Sequence, residues 1–514
     1  MEERKPTYEE LEALVKTLLL RIEKLEKMLF GKKSEKSKKN KANDTKQTDS
    51  SNEKNEANPK RTREKNGGGG RNSFPPNIPR QDIPIPLHPD ECRCPNCGKD
   101  YESMGEETTE VLHYVPMVLT VLRFIRERKK AACDCDIQKV KIAEMPIRNL
   151  DKGSVTTELI AAVLVNKYCD HLPVHRQVER LFKTSGVKPS ESSVCRWRDV
   201  IAEQLAPLAE LMKERIKMSC CINTDATTAP CRLPKEQNRL VNGNQYVYIG
   251  NEDEPYHVFD FQINQSAKGM LAFLDGYRGF VQCDAHGNYD ALFQPKMVDL
   301  TKPPPLEVGC HAHCRRKFTE AEKYEPDDSK RILNLYKKLY KIEAEVKDCP
   351  SDERVFRRQE ESVSLLNELF DTCREIQSAE LFLPKSPLGQ AVAYALKNET
   401  ALRRYCTKSF LNIDNNVSER TLRAFVVGRK NWLFFGSEQA AKNSAVIMSV
   451  LSSARRHGLN EWEYLVDILY RLSDLNSESE LEFLLPDRWV KSVGAPTEAA
   501  ALISSVSAVK SVGA

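Results

Sequence analysis

Apolar positions in "LEALVKTLLLRIEKLEKMLF" fall at Leu11, Val15, Leu18, Ile22, Leu25 and Leu29, alternately four and three residues apart. That spacing is a heptad seam with charged flanks, and it predicts a short coiled coil over residues 1–30. One helix packed on its own domain is the alternative. The pattern then stops. Residues 31–90 open with "GKKSEKSKKNKANDTKQTDSSNEKNEANPKRTREKNGGGG", which has too little apolar surface to fold and more lysine than acid. They predict a disordered basic linker, either a tether or plain solvated chain.

Strand-like alternation begins after residue 91, at 111–114 and 118–124. Cys94 and Cys97 stand before it in "CPNCG", and Cys133 and Cys135 after it. Two cysteine pairs on hairpin-like elements suit a tetrahedral thiolate site, so residues 91–140 predict a zinc ribbon. The second pair is CxC rather than CxxC, and Cys92 is a substitute ligand. Over residues 151–216 the period is helical. "RQVERLFKTSG" and "VKPSESSVCRWRDVI" read as helix, glycine turn, helix, with Ser190 as N-cap. The unit resembles a helix-turn-helix that would offer Arg196 and Arg198 to DNA, beside Trp197. A plain helical pair is the alternative.

After residue 217 the pattern changes to strand. "SCCINTD" predicts a first strand ending at Asp225, and "QYVYIGN" and "YHVFDFQI" the second and third. "AKGMLAFLDGY" is a helix, "GFVQCDAH" a fourth strand ending near Asp284, and "LEVGCHAH" a fifth. Three strands as a meander, a helix and two more strands fit a ribonuclease H-like core, in which the first and fourth strands are neighbours. Asp225 and Asp284 then sit side by side. Carboxylates that close repel unless a cation lies between them. Hard oxygen ligands suit Mg²⁺ or Mn²⁺. A third carboxylate comes from "NIDNNVSERTLRAFVVGRKNWLFFGS", where Asn415 or Asn416 caps a helix and Glu419 falls in its first turn. Arg420, Arg423, Arg429 and Lys430 crowd around it near Trp432, as on a phosphate-facing surface. A surface pair of Glu419 with Arg423 is the bland alternative. Residues from about 325 to 400 are helical and charged and read as an insertion in this domain, which spans 217–460. Residues 461–514 form a C-terminal helical segment and tail.

At 514 residues the chain is too long for one core, so the fold class is multidomain α/β. The net charge of +4 does not by itself mark a nucleic-acid binder. Sixteen cysteines spread over a long charged chain fit reduced thiols and one metal site rather than a disulfide scaffold. The charged N-terminus is no signal peptide, and no apolar run approaches the roughly 20 residues needed to cross a bilayer. The expectation is a soluble, intracellular protein with no membrane partner.

"LFGKKSEKS", the CPNCG knuckle, "VQCDAHGNYDAL", "GCHAHCRRKF", "NNVSERTLRAFVVGRKNWLFFGS" and "HGLNEWEYLVDIL" follow in an order that resembles the transposases of the insertion sequence 66 family, a bacterial group. The resemblance covers nearly the whole chain. It departs at Asp225-Ala226-Thr227, where the family has aspartate, glutamate, threonine, and at the shortened second cysteine pair. It implies a DDE-type catalytic domain with Asp225, Asp284 and Glu419 as catalytic residues holding Mg²⁺ or Mn²⁺. The implied reaction is two-metal phosphoryl transfer that cleaves element ends and joins the 3′ ends to target DNA. His311, His313, Arg315, Arg316 and Lys317 would face the phosphate backbone, although the His-x-His pair could instead be a structural metal site. The resemblance further implies a cytoplasmic, nucleoid-associated homo-oligomer, joined through the coiled coil, with element-encoded helper proteins as further partners. Two other classes compete with it: a DNA-binding regulator with an inactive nuclease fold, and a metal-dependent nuclease that cuts without joining.

Overall fold

The structure is a computed structural model. It describes residues 74–491 apart from 75, 77, 79, 116–117, 133–139, 146–154, 183–184, 234–238, 264–266, 286, 295–303, 380–384 and 474–477. The coiled-coil segment, the linker up to residue 73, Cys133, Cys135 and the tail from 492 lie outside the described residues. The end of the predicted disordered linker is instead ordered, because residues 80–85 pair as a strand in the first sheet.

The first sheet is built on a long antiparallel hairpin, β2 (Glu102–Val115) with β3 (Val118–Lys130). β1 (Arg80–Ile85) lies parallel to β3, and β4 (Val140–Ile142) also pairs with β3. The pairing slips between Ser103 and Gly105, a bulge that glycine permits because its φ is +106°. Half-buried charge pairs tie the strands together on both faces: Arg126 with Glu107 at 2.6 Å on one, and Glu110 with both Arg80 at 3.0 Å and Arg123 at 3.3 Å on the other. Before the hairpin, the chain turns tightly at Cys94–Gly98. The Gly98 amide donates to the Cys94 carbonyl, and Gly98 takes a φ of +72°.

Helices α1 (Thr157–Tyr168), α2 (Val174–Gln177) and α3 (Glu191–Ile216) follow. Ser190 caps α3 as its position suggested, accepting from the Ser193 amide at 3.1 Å. Val194, Trp197, Ile201, Leu205, Leu208, Met212 and Ile216 recur every three or four residues and are buried, so one whole stripe of α3 belongs to the main core.

The second sheet holds β5 (Cys221–Leu233), β6 (Arg239–Gly250), β7 (His257–Gln262), β8 (Phe280–Gln282) and β9 (Leu306–Val308) in the order β7-β6-β5-β8-β9. The first three strands in the chain form an antiparallel meander, and β8 and β9 run parallel to β5. Helix α4 (Lys268–Phe273) lies between β7 and β8 in the chain, and α5 (Gly287–Phe293) follows β8. The first strand is longer than its sequence suggested. Asp225 lies inside β5, opposite Val247 of β6, because the β5–β6 hairpin continues to Leu233.

After β9 come α6 (His311–Ala321), α7 (Pro326–Glu345), α8 (Ser351–Arg357), α9 (Val363–Ser378), α10 (Pro387–Lys397) and α11 (Glu399–Arg403). They enclose a core of their own. Phe318, Tyr336, Leu339, Leu366, Phe370, Val392 and Tyr405 are all buried there. Helix α12 (Asn416–Trp432) then returns the chain to the sheet, followed by α13 (Glu438–Arg456) and α14 (Glu461–Ser473). α13 shields the β7 edge. Ser453 Oγ accepts the His257 amide at 2.9 Å and Ser449 Oγ accepts the Phe259 amide at 2.8 Å, so strand donors that a bare edge would expose are satisfied by helix hydroxyls. Among the described residues no helix is long and apolar enough to cross a membrane.

Candidate active site

β5 and β8 pair only from Cys221 opposite Phe280 to Asn223 opposite Gln282. Each strand carries an aspartate two positions past the last pair, Asp225 on one and Asp284 on the other. Both line a cavity of ≈190 Å³, with Ala226, Thr228, Asn244, Tyr246, Asn288 and Tyr289. Asp225 Oδ1 accepts the Ala226 amide at 2.7 Å. Burial pushes its carboxyl up to about 7, helped by the negative charges of Asp284 and Glu419. The Ala226 amide and Arg316 oppose that rise.

Glu419 enters from the first turn of α12, where the helix dipole favours an acid. Its Oε2 accepts from Arg316 at 3.4 Å, and its Oε1 lies 3.7 Å from His313 Nδ1, too far for a hydrogen bond. Its cationic partner is thus Arg316 of α6 rather than Arg423 one turn along its own helix. A buried amide network sets the start of α12 against the strands. Asn223 Nδ2 donates to Gln282 Oε1 and to Asn415 Oδ1, both at 3.0 Å. Asn415 Nδ2 donates to the Thr224 carbonyl at 2.8 Å, and Gln282 Nε2 to the Asn412 carbonyl at 2.6 Å. Asn415 is fully buried and faces the sheet, so it does not cap the helix through its side chain. The Asn416 amide instead bonds Asp414 Oδ1 at 3.1 Å.

Three sequence-predicted contact residues face elsewhere. Arg198 is buried on α3 and held by the neighbouring Asp199 at 2.6 Å, because its turn of the helix packs inward. His311 is fully buried, with Nε2 on the Leu402 carbonyl at 2.9 Å and Tyr336 and Tyr405 edge-on to its ring. Burial lowers its pKa to about 4. Trp432 packs on the main core, edge-on to Tyr168, with Lys167 over its ring. By contrast Arg196, Arg315, Arg316, Arg420, Arg423 and Lys430 are exposed, and Arg429 and Lys317 are half-buried. The sequence pattern reads Asn415 only as a cap, passes over Cys310, and misses Asn223 and Gln282 although their strands carry a signal. The available signal was uncharged polar residues inside otherwise apolar strand patterns, "CCINTD" and "FVQCD".

The carboxylates suit a hard divalent cation in their donor chemistry: all are oxygen ligands, Asp225 and Asp284 line one cavity, and burial, with the negative charges of Asp284 and Glu419 adding to it, raises Asp225. In the cysteine-rich segment Cys94 is buried, Cys97 exposed, and Cys92 Sγ lies 3.2 Å from Lys129 Nζ.

Residues 91–136 match the zinc-finger binding domain of transposase IS66, which points to zinc, and residues 17–83 match the family described as transposase C of IS166 homeodomain. Two relatives come from Sinorhizobium fredii. The uncharacterized protein y4jD is 28% identical over 425 residues, covering 81% of each chain. The uncharacterized protein y4hP is 26% identical over 452 residues, covering 84% of this chain and 79% of the relative. Residues 152–443, more than half of the chain and the stretch that carries both aspartates and Glu419, match the transposase IS66 family, and the chain belongs to that family of insertion-sequence transposases.

Proposed function

We propose that this transposase cleaves insertion-sequence ends and joins the freed 3′ ends to target DNA, with Asp225, Asp284 and Glu419 as its catalytic carboxylates on a ribonuclease H-like core. The observation that carries the reading is the pair of aspartates in one cavity. Asp225 and Asp284 stand just past the paired ends of neighbouring parallel strands, and Glu419, on a helix anchored to those strands, is near enough to add negative charge at Asp225. Mg²⁺ or Mn²⁺ held there would activate the attacking water or 3′-hydroxyl and stabilise the leaving oxygen. Asp225 and Asp284 would hold the cation from the sheet and Glu419 from α12. The Asn223–Asn415–Gln282 network fixes the strand-to-helix spacing, so little reorganisation remains for the reaction. Arg316 draws on Glu419 and presents charge at the site's rim.

Exposed Arg315, Arg316, Arg420, Arg423 and Lys430, with half-buried Arg429, Lys317 and His313, would contact the DNA backbone. Arg196 at the exposed start of α3 would do so for the helical domain. Cys94 and Cys97, with Cys133 and Cys135, are the proposed zinc ligands.

Incubating the purified protein with labelled element ends, a target plasmid and Mg²⁺ tests the reading. Joined product is expected. Cut ends without joining would make the protein a nuclease, and a shifted band without chemistry would make it a DNA-binding regulator.

A further inference from the structure

Cys310, His313 and Glu419 form a second cluster beside the aspartates. Cys310 precedes α6, and its fully buried Sγ accepts the Asn415 amide at 3.2 Å. His313 stands three residues on, so its ring comes round to the same side of the helix as Cys310. One ligand atom from each of the three residues lies within 4.8 Å of the other two. His313 Nδ1 and Glu419 Oε1 face each other across 3.7 Å, and both are buried atoms with no hydrogen-bond partner. Buried polar atoms are nearly always satisfied, so two facing each other at this separation leave room for a third party between them.

We infer that Cys310 Sγ, His313 Nδ1 and a Glu419 carboxylate oxygen form a site for a thiophilic divalent ion such as Zn²⁺, distinct from the all-oxygen site and competing with it for Glu419. The competition rests on the function proposed above; the binding does not. The donor set carries the inference. Sulfur with imidazole selects zinc-like ions over Mg²⁺, and three protein ligands with an open fourth position are a common zinc arrangement. Bonds of roughly 2.0–2.3 Å give a tetrahedron with edges of about 3.3–3.7 Å. The nitrogen–oxygen separation already falls there, and the wider limit of 4.8 Å needs only side-chain rotation. Charge balances as well. The thiol gives its proton to solvent on binding, and one thiolate and one carboxylate neutralise the ion. Burial pushes the Cys310 thiol up to about 11, and the backbone amides of Asn415, His313 and Ala312, which point at the sulfur, oppose that rise. An ion seated there keeps an oxygen of Glu419 from the proposed Mg²⁺ site, so Zn²⁺ inhibits Mg²⁺-dependent cleavage.

Cobalt titration of the full-length protein, purified with its own zinc, tests this through the near-ultraviolet thiolate-to-cobalt band and the visible bands of tetrahedral Co²⁺. Wild type is expected to take up an additional equivalent with both signatures. Cys310→Ser and His313→Ala should lack it, and Asp284→Asn should retain it. His313 is only partly buried, so His313→Ala decides the matter alone should Cys310→Ser not fold. Equal cobalt uptake by wild type and His313→Ala, or uptake without the thiolate band, overturns the inference. Tetrahedral cobalt binding in a protein that cuts no DNA would keep this site and sink the proposed function instead.

Discussion

Asp225 and His257 show opposite ways in which burial acts on a charged form. Burial raises the carboxyl of Asp225, whereas the imidazole of His257 is driven down to about 3 by burial, with Arg456 and His457 adding like charge. His257 is neutral in the fold and keeps its ring through a 2.8 Å contact with Ser452 Oγ. In the unfolded chain it protonates near its ordinary value of about 6.5. Its contribution to stability is therefore complete above about pH 6.5, and is lost as pH falls from there toward 3, at up to about 1.4 kcal/mol per pH unit. Denaturant unfolding at pH 7 and pH 5 should show a smaller acid loss for His257→Gln than for wild type; equal losses would contradict the buried, neutral imidazole. Gly428 is a steric case. A Cβ there would lie 1.9 Å from Trp432 Cη2, so Gly428→Ala must displace a ring that packs on Tyr168. A loss of about 1–3 kcal/mol with an altered near-ultraviolet dichroism spectrum is expected. Individual acids were legible in the sequence because a carboxylate leaving an apolar run needs a task. The inward turns of Arg198, His311 and Trp432 were not legible. Basic and aromatic residues on an amphipathic helix look alike whether a given turn meets solvent or a neighbouring helix.

Helix α12 does the positioning at the scale of elements. Its first turn is set on the sheet by Asn415, whose side chain reaches both Asn223 and the Thr224 carbonyl. Asn415→Ala removes one of the two acceptors of Asn223 Nδ2 and the side-chain donor to the Thr224 carbonyl in a dry interior, and should cost about 1–3 kcal/mol in chemical denaturation. Asn416→Ala, one residue on and partly exposed, should cost clearly less. Equal losses would show that Asn415 acts as an ordinary helix-start residue. The sequence placed a helix start here but read Asn415 as a cap, because a cap and a buried tether share the same residue type at the same position. Strand order was more legible. The meander, the intervening helix and the adjacency of first and fourth strands follow from where apolar runs alternate with turns, and β5 does pair with β8. The continuation of β5 past Asp225 was hidden, since "ATTAPCRL" has no clean alternation and is held by its pairing with β6.

On the scale of the whole molecule, a helical body with its own core separates β9 from α12 in the chain, yet α6 and α12 meet at Glu419 through Arg316. Long insertions of this kind are legible as charged helical sequence; where they deliver their ends is not. The heptad seam lies outside the described residues and supports a prediction of its own. Pairing two element ends needs at least two protomers, so replacing Leu18 and Leu25 with polar residues should shift the protein toward monomer in sedimentation; an unchanged mass would mean the seam packs within its own chain. The central claim is that three carboxylates act as one catalytic unit, and single-turnover cleavage of a labelled element end in Mg²⁺ tests it most directly. Asp225→Asn, Asp284→Asn and Glu419→Gln should each cut several orders of magnitude more slowly than wild type while binding the DNA as well or slightly better. Double variants should lose little more, because groups that act as a unit are not additive. Cleavage by Glu419→Gln within a few-fold of wild type would contradict the account and leave Glu419 as no more than the partner of Arg316, a contact worth under about 1 kcal/mol.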